Sequence, residues 1–192
     1  MKQLKPSFFT RDTITVSKAL LGTYLVSKIG KHKTVCQITE TEAYCGTTDP
    51  ACHVYKSKIT ERNKVLFSAP GTIYVYSIYG MYCCLNFVAH KKSFAGGVFI
   101  RAAKPVSGIP LMKKRRTTDS ESALTDGPSK LCISLGINKK QNTLNSCLKS
   151  SPIKLFKGPN LSAKQIKSGL RINIDYAGKA KHWPWRFYIK SN

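Results

Sequence analysis

Two carboxylates and a run of phenols are the side chains of this sequence best equipped for chemistry. Glu40 and Glu42 stand two apart in Ile38–Gly46 (ITETEAYCG), with Tyr44 directly after them. Tyr74, Tyr76, Tyr79 and Tyr82 then crowd Pro70–Asn86 (PGTIYVYSIYGMYCCLN). A carboxylate desolvated by aromatic neighbours has a raised pKa and can take a proton from water, the step that helps break a glycosidic bond. Glu40 and Glu42 face the same side of a regular strand, whereas a bulge at that point would separate them. Aromatic faces hold a base at roughly 1–3 kcal/mol per stack. A tyrosine on a hairpin tip can wedge into a duplex and fill the space of an extruded base. The plainer alternative is that alternating tyrosines pair across a hairpin and fill one sheet face. A glutamate among so many lysines can equally be a surface or salt-bridged group.

The charge balance favours the first set of readings. Thirty-two Lys and Arg against nine Asp and Glu give a formal charge of +23 on 192 residues. One compact domain so basic is expected to bind a polyanion, with steep salt dependence. A length of 192 residues and a hydrophobic content of 42% suit one globular domain over residues 1–192. The apolar stretch near Ile73–Val88 is broken by Ser, Gly, Asn and Tyr and is too short for a membrane span. The start, MKQLKPSFFTRD, has no apolar signal core. Seven cysteines include no CxxC, and Cys45, Cys52 and His53 lack zinc spacing. Reduced thiols in a cytoplasmic protein, with no metal, are therefore expected.

Several elements must position these groups. Thr13–Leu21 reads as a short helix stopped by Gly22. Tyr24–Ile29 and Thr34–Thr39 read as a hairpin joined by GKHK, placing the two glutamates at a strand end. Thr47–Asn63 reads as a loop with a helical turn near His53. Thr72–Tyr79 and Met81–Val88 form a second hairpin with Tyr79-Gly80-Met81 at its tip. Gly97–Ala103 is an apolar strand carrying one charge, Arg101, either snorkelling to solvent or reaching a phosphate. Lys113–Arg116 reads as a solvated loop, and Asp126–Ser129 as the start of a helix over Lys130–Leu135. Residues 138–168 read as peripheral, and Leu170–Ile174 and Trp185–Ile189 as strands.

Taken together, ETEAY (Glu40–Tyr44), Ala51–His53, Arg62-Asn63, Pro70–Asn86, Ile100–Pro105, Gly127–Ile137 and Arg186–Ile189 resemble the alkyladenine (3-methyladenine) DNA glycosylase family. The matches run in order from about Thr39 to the end. The resemblance implies an α+β fold: a single mixed domain with a curved antiparallel sheet and a protruding, DNA-intercalating β-hairpin. It implies a monofunctional, monomeric enzyme that flips alkylated purines out of double-stranded DNA and excises them without metal, cofactor or lysine Schiff base. By position, Glu42 is the general base and Arg101 lies beside the target nucleotide and the water. Tyr44, His53 and Tyr76 sandwich the base, Asn86 rejects the guanine amino group, and Tyr79 intercalates. Lys104, Cys83 and the segment RINIDYAG depart from the family pattern. A non-catalytic protein binding lesions or duplex DNA, or a basic RNA-associated protein, is the competing expectation.

Overall fold

The computed structural model describes residues 1–92 and 94–190. Its spine is β2 (His32–Tyr44), whose β-branched start and alternating carboxylates sustain thirteen extended residues. Along one edge β2 pairs with β5 (Gly97–Ser107). Along the other it pairs first with β1 (Tyr24–Ile29) and then with β8 (Arg186–Ile189). Beyond β5 lies the hairpin of β3 (Ile73–Ile78) and β4 (Tyr82–Val88). Beyond β1 lies β6 (Ile153–Phe156), and beyond β8 lies β7 (Ile166–Gly169). Every pairing is antiparallel, and the eight strands make one curved sheet. With the helices packed on it, this is the α+β class expected from the sequence.

Four α-helices are present among the described residues: α1 (Pro6–Phe9), α2 (Thr13–Leu20), α3 (Ile109–Arg116) and α4 (Pro128–Leu135). Asp12 caps α2 by accepting from the Thr15 amide at 3.0 Å, a contact worth about 1 kcal/mol in such caps. Val16 and Leu20 of α2 enter the core with Leu25, Ile38, Phe87 and Ile100 from the sheet and Leu131 and Leu135 from α4. A smaller cluster joins Cys52, Val54, Val65 and Leu66 to Tyr74, with Tyr44 and Tyr76 packed against it. This second cluster is the scaffold of the site.

The structure corrects four expectations. Strand β2 runs on to Tyr44, so Glu40 and Glu42 lie inside it. Lys113–Arg116 is the last turn of α3: Met112 anchors the helix in the core, and long Lys and Arg chains are good helix formers. Residues 138–168 are not all peripheral, because buried Ile153 and Leu155 alternate with half-buried neighbours and extend the sheet as β6. The strand expected at Leu170–Ile174 is instead Ile166–Gly169. Beyond it, Asn173 takes the left-handed conformation (φ 59°), which ends any extended run.

Candidate active site

Two compensating bulges decide which residues of the central strands face the site. Ile38 pairs with Ala103 and Glu40 with Ala102, leaving Thr39 unpaired; Thr41 then pairs with Ile100, leaving Arg101 unpaired. An extra residue reverses the in–out alternation of its strand. Before the bulge, Cys36 and Ile38 point into the core; after it, Ala43 does, while Thr41 is buried against Ser17 of α2. Glu40, Glu42 and Tyr44 are thereby turned to the opposite face. On β5, Val98 and Ile100 are core residues before Arg101, and Ala103 is one after it. Phe99 and Arg101 line a cavity on the other side. The bulge expected to part the two glutamates lies just upstream and leaves them together.

Glu42 has no exposed surface and is held by three donors. The Tyr44 hydroxyl donates to Oε2 at 2.9 Å, the Ile172 amide donates to Oε1 at 2.9 Å, and Arg101 Nη1 stands 3.3 Å from Oε2. Burial pushes the Glu42 pKa up; Arg101, the Ile172 amide and the Tyr44 hydroxyl oppose this without cancelling it. Arg101 is shared, its Nε facing Glu40 Oε1 at 3.3 Å outside hydrogen-bond alignment. Arg186 Nη1 donates to the same Glu40 oxygen at 3.0 Å. Arg101 is thus neither a snorkelling edge residue nor an isolated cation: it is paired with both carboxylates.

Tyr44, His53, Tyr76, Tyr79, Asn86 and Arg101 all border one cavity of about 260 Å³. Glu42 lies behind its wall, joined to it through Tyr44, Arg101 and Ile172. His53 and Tyr76 meet edge to face at 4.8 Å, and the His53 Nδ1 lies 2.9 Å from the Tyr74 hydroxyl. Burial, with Arg62 nearby, lowers the His53 pKa to about 4, so the ring is neutral at pH 7. Asn86, buried on β4 opposite Tyr74 and Phe99, donates its amide to the Tyr74 carbonyl at 3.2 Å. The fold therefore gathers Tyr44, His53, Tyr76, Tyr79, Asn86 and Arg101 around one cavity with Glu42 behind it, while Tyr82, also singled out, stays outside and exposed.

The hairpin tip is built for exposure. Tyr79 and Gly80 both have positive φ (50° and 73°), and Tyr79 is 84% exposed. Glycine adopts that region freely, whereas tyrosine does so at a cost, so Tyr79 is held there by its turn.

Sequence reasoning missed three supports. Arg171 and Asp49 form a wholly buried, two-pronged ion pair. Asn63 donates to the carbonyls of His53 (2.7 Å) and Lys58 (2.9 Å), fixing the loop that carries the imidazole. Asn63 stands in the Arg62-Asn63 motif, which was the available signal; nothing local marks Arg171 or Asp49. The departures are also placed: Cys83 packs on the core opposite Ser77, and Lys104 is exposed opposite Gln37. Within RINIDYAG, Asn173 holds a left-handed position, a conformation that asparagine tolerates better than most residues.

A carboxylate behind an aromatic cavity, flanked by an exposed tyrosine on a hairpin tip, is the geometry to compare with known proteins. The profile of the methylpurine-DNA glycosylase family matches residues 7–192. The chain belongs to that family. A Clostridium perfringens (strain 13) relative, provisionally named 3-methyladenine DNA glycosylase, is 44% identical over 99% of this chain and 97% of its own length. Relatives with the same provisional name in Bacillus cereus (strain G9842) and Alkaliphilus oremlandii are 44% and 43% identical over 99% of the chain and 97% and 96% of theirs. Membership makes this a DNA glycosylase, with DNA as the polyanion that its +23 charge anticipates. No described helix is long and apolar enough to cross a membrane.

Proposed function

We propose that the protein flips alkylated purines, 3-methyladenine foremost, from duplex DNA and hydrolyses their N-glycosidic bonds, leaving an abasic site. The observation that carries this reading is the buried Glu42 carboxylate, oriented by three donors against an aromatic cavity. Lysine and arginine contacts supply salt-sensitive association as a single 192-residue domain acting as a monomer. Tyr79 enters the minor groove and occupies the gap while the target nucleotide rotates out, a motion easiest at damaged or mispaired sites. Tyr44, His53 and Tyr76 hold the extruded base. A neutral His53 suits a cationic purine, since an imidazolium would repel it.

Glu42 takes a proton from water as the water oxygen bonds to the anomeric carbon. The C–N bonding pair leaves with the purine and neutralises the charge of an alkylated ring, so no acid is required. Hypoxanthine and ethenoadenine lack that charge and need help with protonation, which makes them the slower substrates. Asn86 is pinned to the Tyr74 carbonyl, so a guanine amino group meets a side chain that cannot swing away. Arg101 aligns Glu42 and the substrate side of the cavity.

The decisive experiment is single-turnover excision from duplexes carrying 3-methyladenine, hypoxanthine or ethenoadenine, with wild type and Glu42→Gln. Release by wild type that disappears in the variant, while both prefer an abasic-analogue duplex over undamaged competitor, supports the reading. Tight lesion binding without release of any base would instead make this a non-catalytic lesion-binding protein.

A further inference from the structure

We propose that Arg171 and Asp49 are a positioning pair that locks the catalytic carboxylate and the base-stacking tyrosine to each other. The inference rests on the glycosylase reading above and goes beyond it by naming residues that touch neither base nor water. Arg171 Nη1 and Nη2 reach the two Asp49 carboxylate oxygens at 2.5 and 2.9 Å, and Nη1 also donates to the Ala43 carbonyl at 2.9 Å. Ala43 lies between Glu42 and Tyr44. The guanidinium is layered between the rings of Tyr44 (4.9 Å) and Trp185 (5.0 Å), and its neighbour Ile172 supplies the amide on Glu42 Oε1. Asp49 in turn accepts from the Cys45 and Ala51 amides at 3.0 Å each, tying down the turn that follows Tyr44.

One guanidinium therefore fixes the ring of Tyr44, the backbone beside Glu42 and the segment that donates to Glu42. Stability alone is a poor explanation, because apolar residues of similar volume commonly replace buried ion pairs at no loss. Two features of the pair suit positioning. Both side chains have no solvent exposure, so the geometry is undiluted by water. Arg171 Nε is buried without a hydrogen-bond partner among the described residues, a cost accepted to hold the fork in this one orientation.

The test compares Arg171→Lys, which keeps the charge and loses the fork, with the volume-matched double variant Arg171→Met/Asp49→Leu. Readouts are the single-turnover rate at saturating enzyme, affinity for an abasic-analogue duplex, melting temperature, and the carbon-13 NMR titration of the Glu42 carboxyl. The groups facing Glu42 are Arg101 from β5, Tyr44 on its own strand, Glu40 through Arg101, and Arg171 beside Ile172; only the last changes. The expected result is a rate about 10–100-fold lower in both variants, as for small misplacements of catalytic groups. Abasic-analogue affinity should stay within about threefold, a difference of under 1 kcal/mol, and the Glu42 titration should move to higher pH. The double variant should regain the wild-type melting temperature without regaining rate. A double variant with wild-type stability, rate and Glu42 titration would overturn the proposal and leave the pair purely structural. If the double variant does not fold, Arg171→Lys decides by the same criteria. Should wild type release no base at all, the glycosylase reading fails, while the Glu42 titration still decides whether the pair positions the carboxylate.

Discussion

Arg101 Nη1 lies 3.3 Å from Glu42 Oε2, and the same guanidinium faces Glu40 across 3.3 Å. One cation serving two carboxylates leaves each incompletely neutralised. For Glu42 the outcome is a pKa raised by burial, restrained by Arg101 first, then by the Ile172 amide and the Tyr44 hydroxyl. A base that is somewhat stronger than an ordinary carboxylate, yet still ionisable, is well matched to deprotonating water.

The acid limb of the excision rate should therefore lie above the ordinary Glu value of 4.5. Activity requires the ionised form, so the rate rises as pH passes upward through the folded pKa. Single-turnover rates across pH 4–9 check this, and Tyr44→Phe, which removes a donor to the ionised form, should move the limb further up. Glu42→Gln should lower the plateau by about 10²–10⁴-fold, the usual contribution of a general base.

Glu40→Gln should weaken the hold on both Arg101 and Arg186 while leaving Glu42 in place. Glu40 is partly exposed (21%), so the ion pairs are screened and the expected loss is about 1 kcal/mol or less. That corresponds to roughly a fivefold fall in rate. Glu40→Gln and Glu42→Gln measured side by side would show the contrast, and equal losses would contradict the division of roles.

Stability should fall in mild acid because of His53. Its folded pKa of about 4 lies below the ordinary imidazole value of 6.5, so the unfolded chain binds the proton first. The stability that comes from keeping the ring neutral is complete above about 6.5 and is lost as pH drops towards 4. Melting temperatures of wild type and His53→Gln should converge over that interval.

Asn173 tests the departure in RINIDYAG. At φ 59° a β-branched residue is strained by about 1–2 kcal/mol. Asn173→Val should lower the melting temperature and disturb the Ile172 amide on Glu42, whereas Asn173→Gly should preserve both stability and excision. Loss of activity in Asn173→Gly without loss of stability would show that the amide side chain itself contacts the substrate.

Much of this site could be read because its signals are local. ETEAY and the tyrosine-rich hairpin concentrate the carboxylate, the cavity-lining rings and the exposed Tyr79 within about fifty residues, and a positive-φ Tyr-Gly tip follows from turn chemistry. Strands whose signal was diluted by lysines, such as β6, were obscured because the periodicity spans only four residues. Arg171 and Asp49 meet across 122 positions, and no spacing rule reaches so far. The bulges at Thr39 and Arg101 were hidden for a different reason: each is one residue of ordinary type whose role is set by strand register.

That last feature makes the active centre a matter of counting. Were β2 to run straight through Thr39, no side chain would be lost, yet Ala43 would turn to the cavity and the Glu42 carboxylate would be driven into apolar core. Pairing would then stay in register only if β5 ran straight as well, through its own unpaired residue, Arg101. The two strands are thus bound to bulge in concert, and Glu42 and its guanidinium partner share a single reading frame in space.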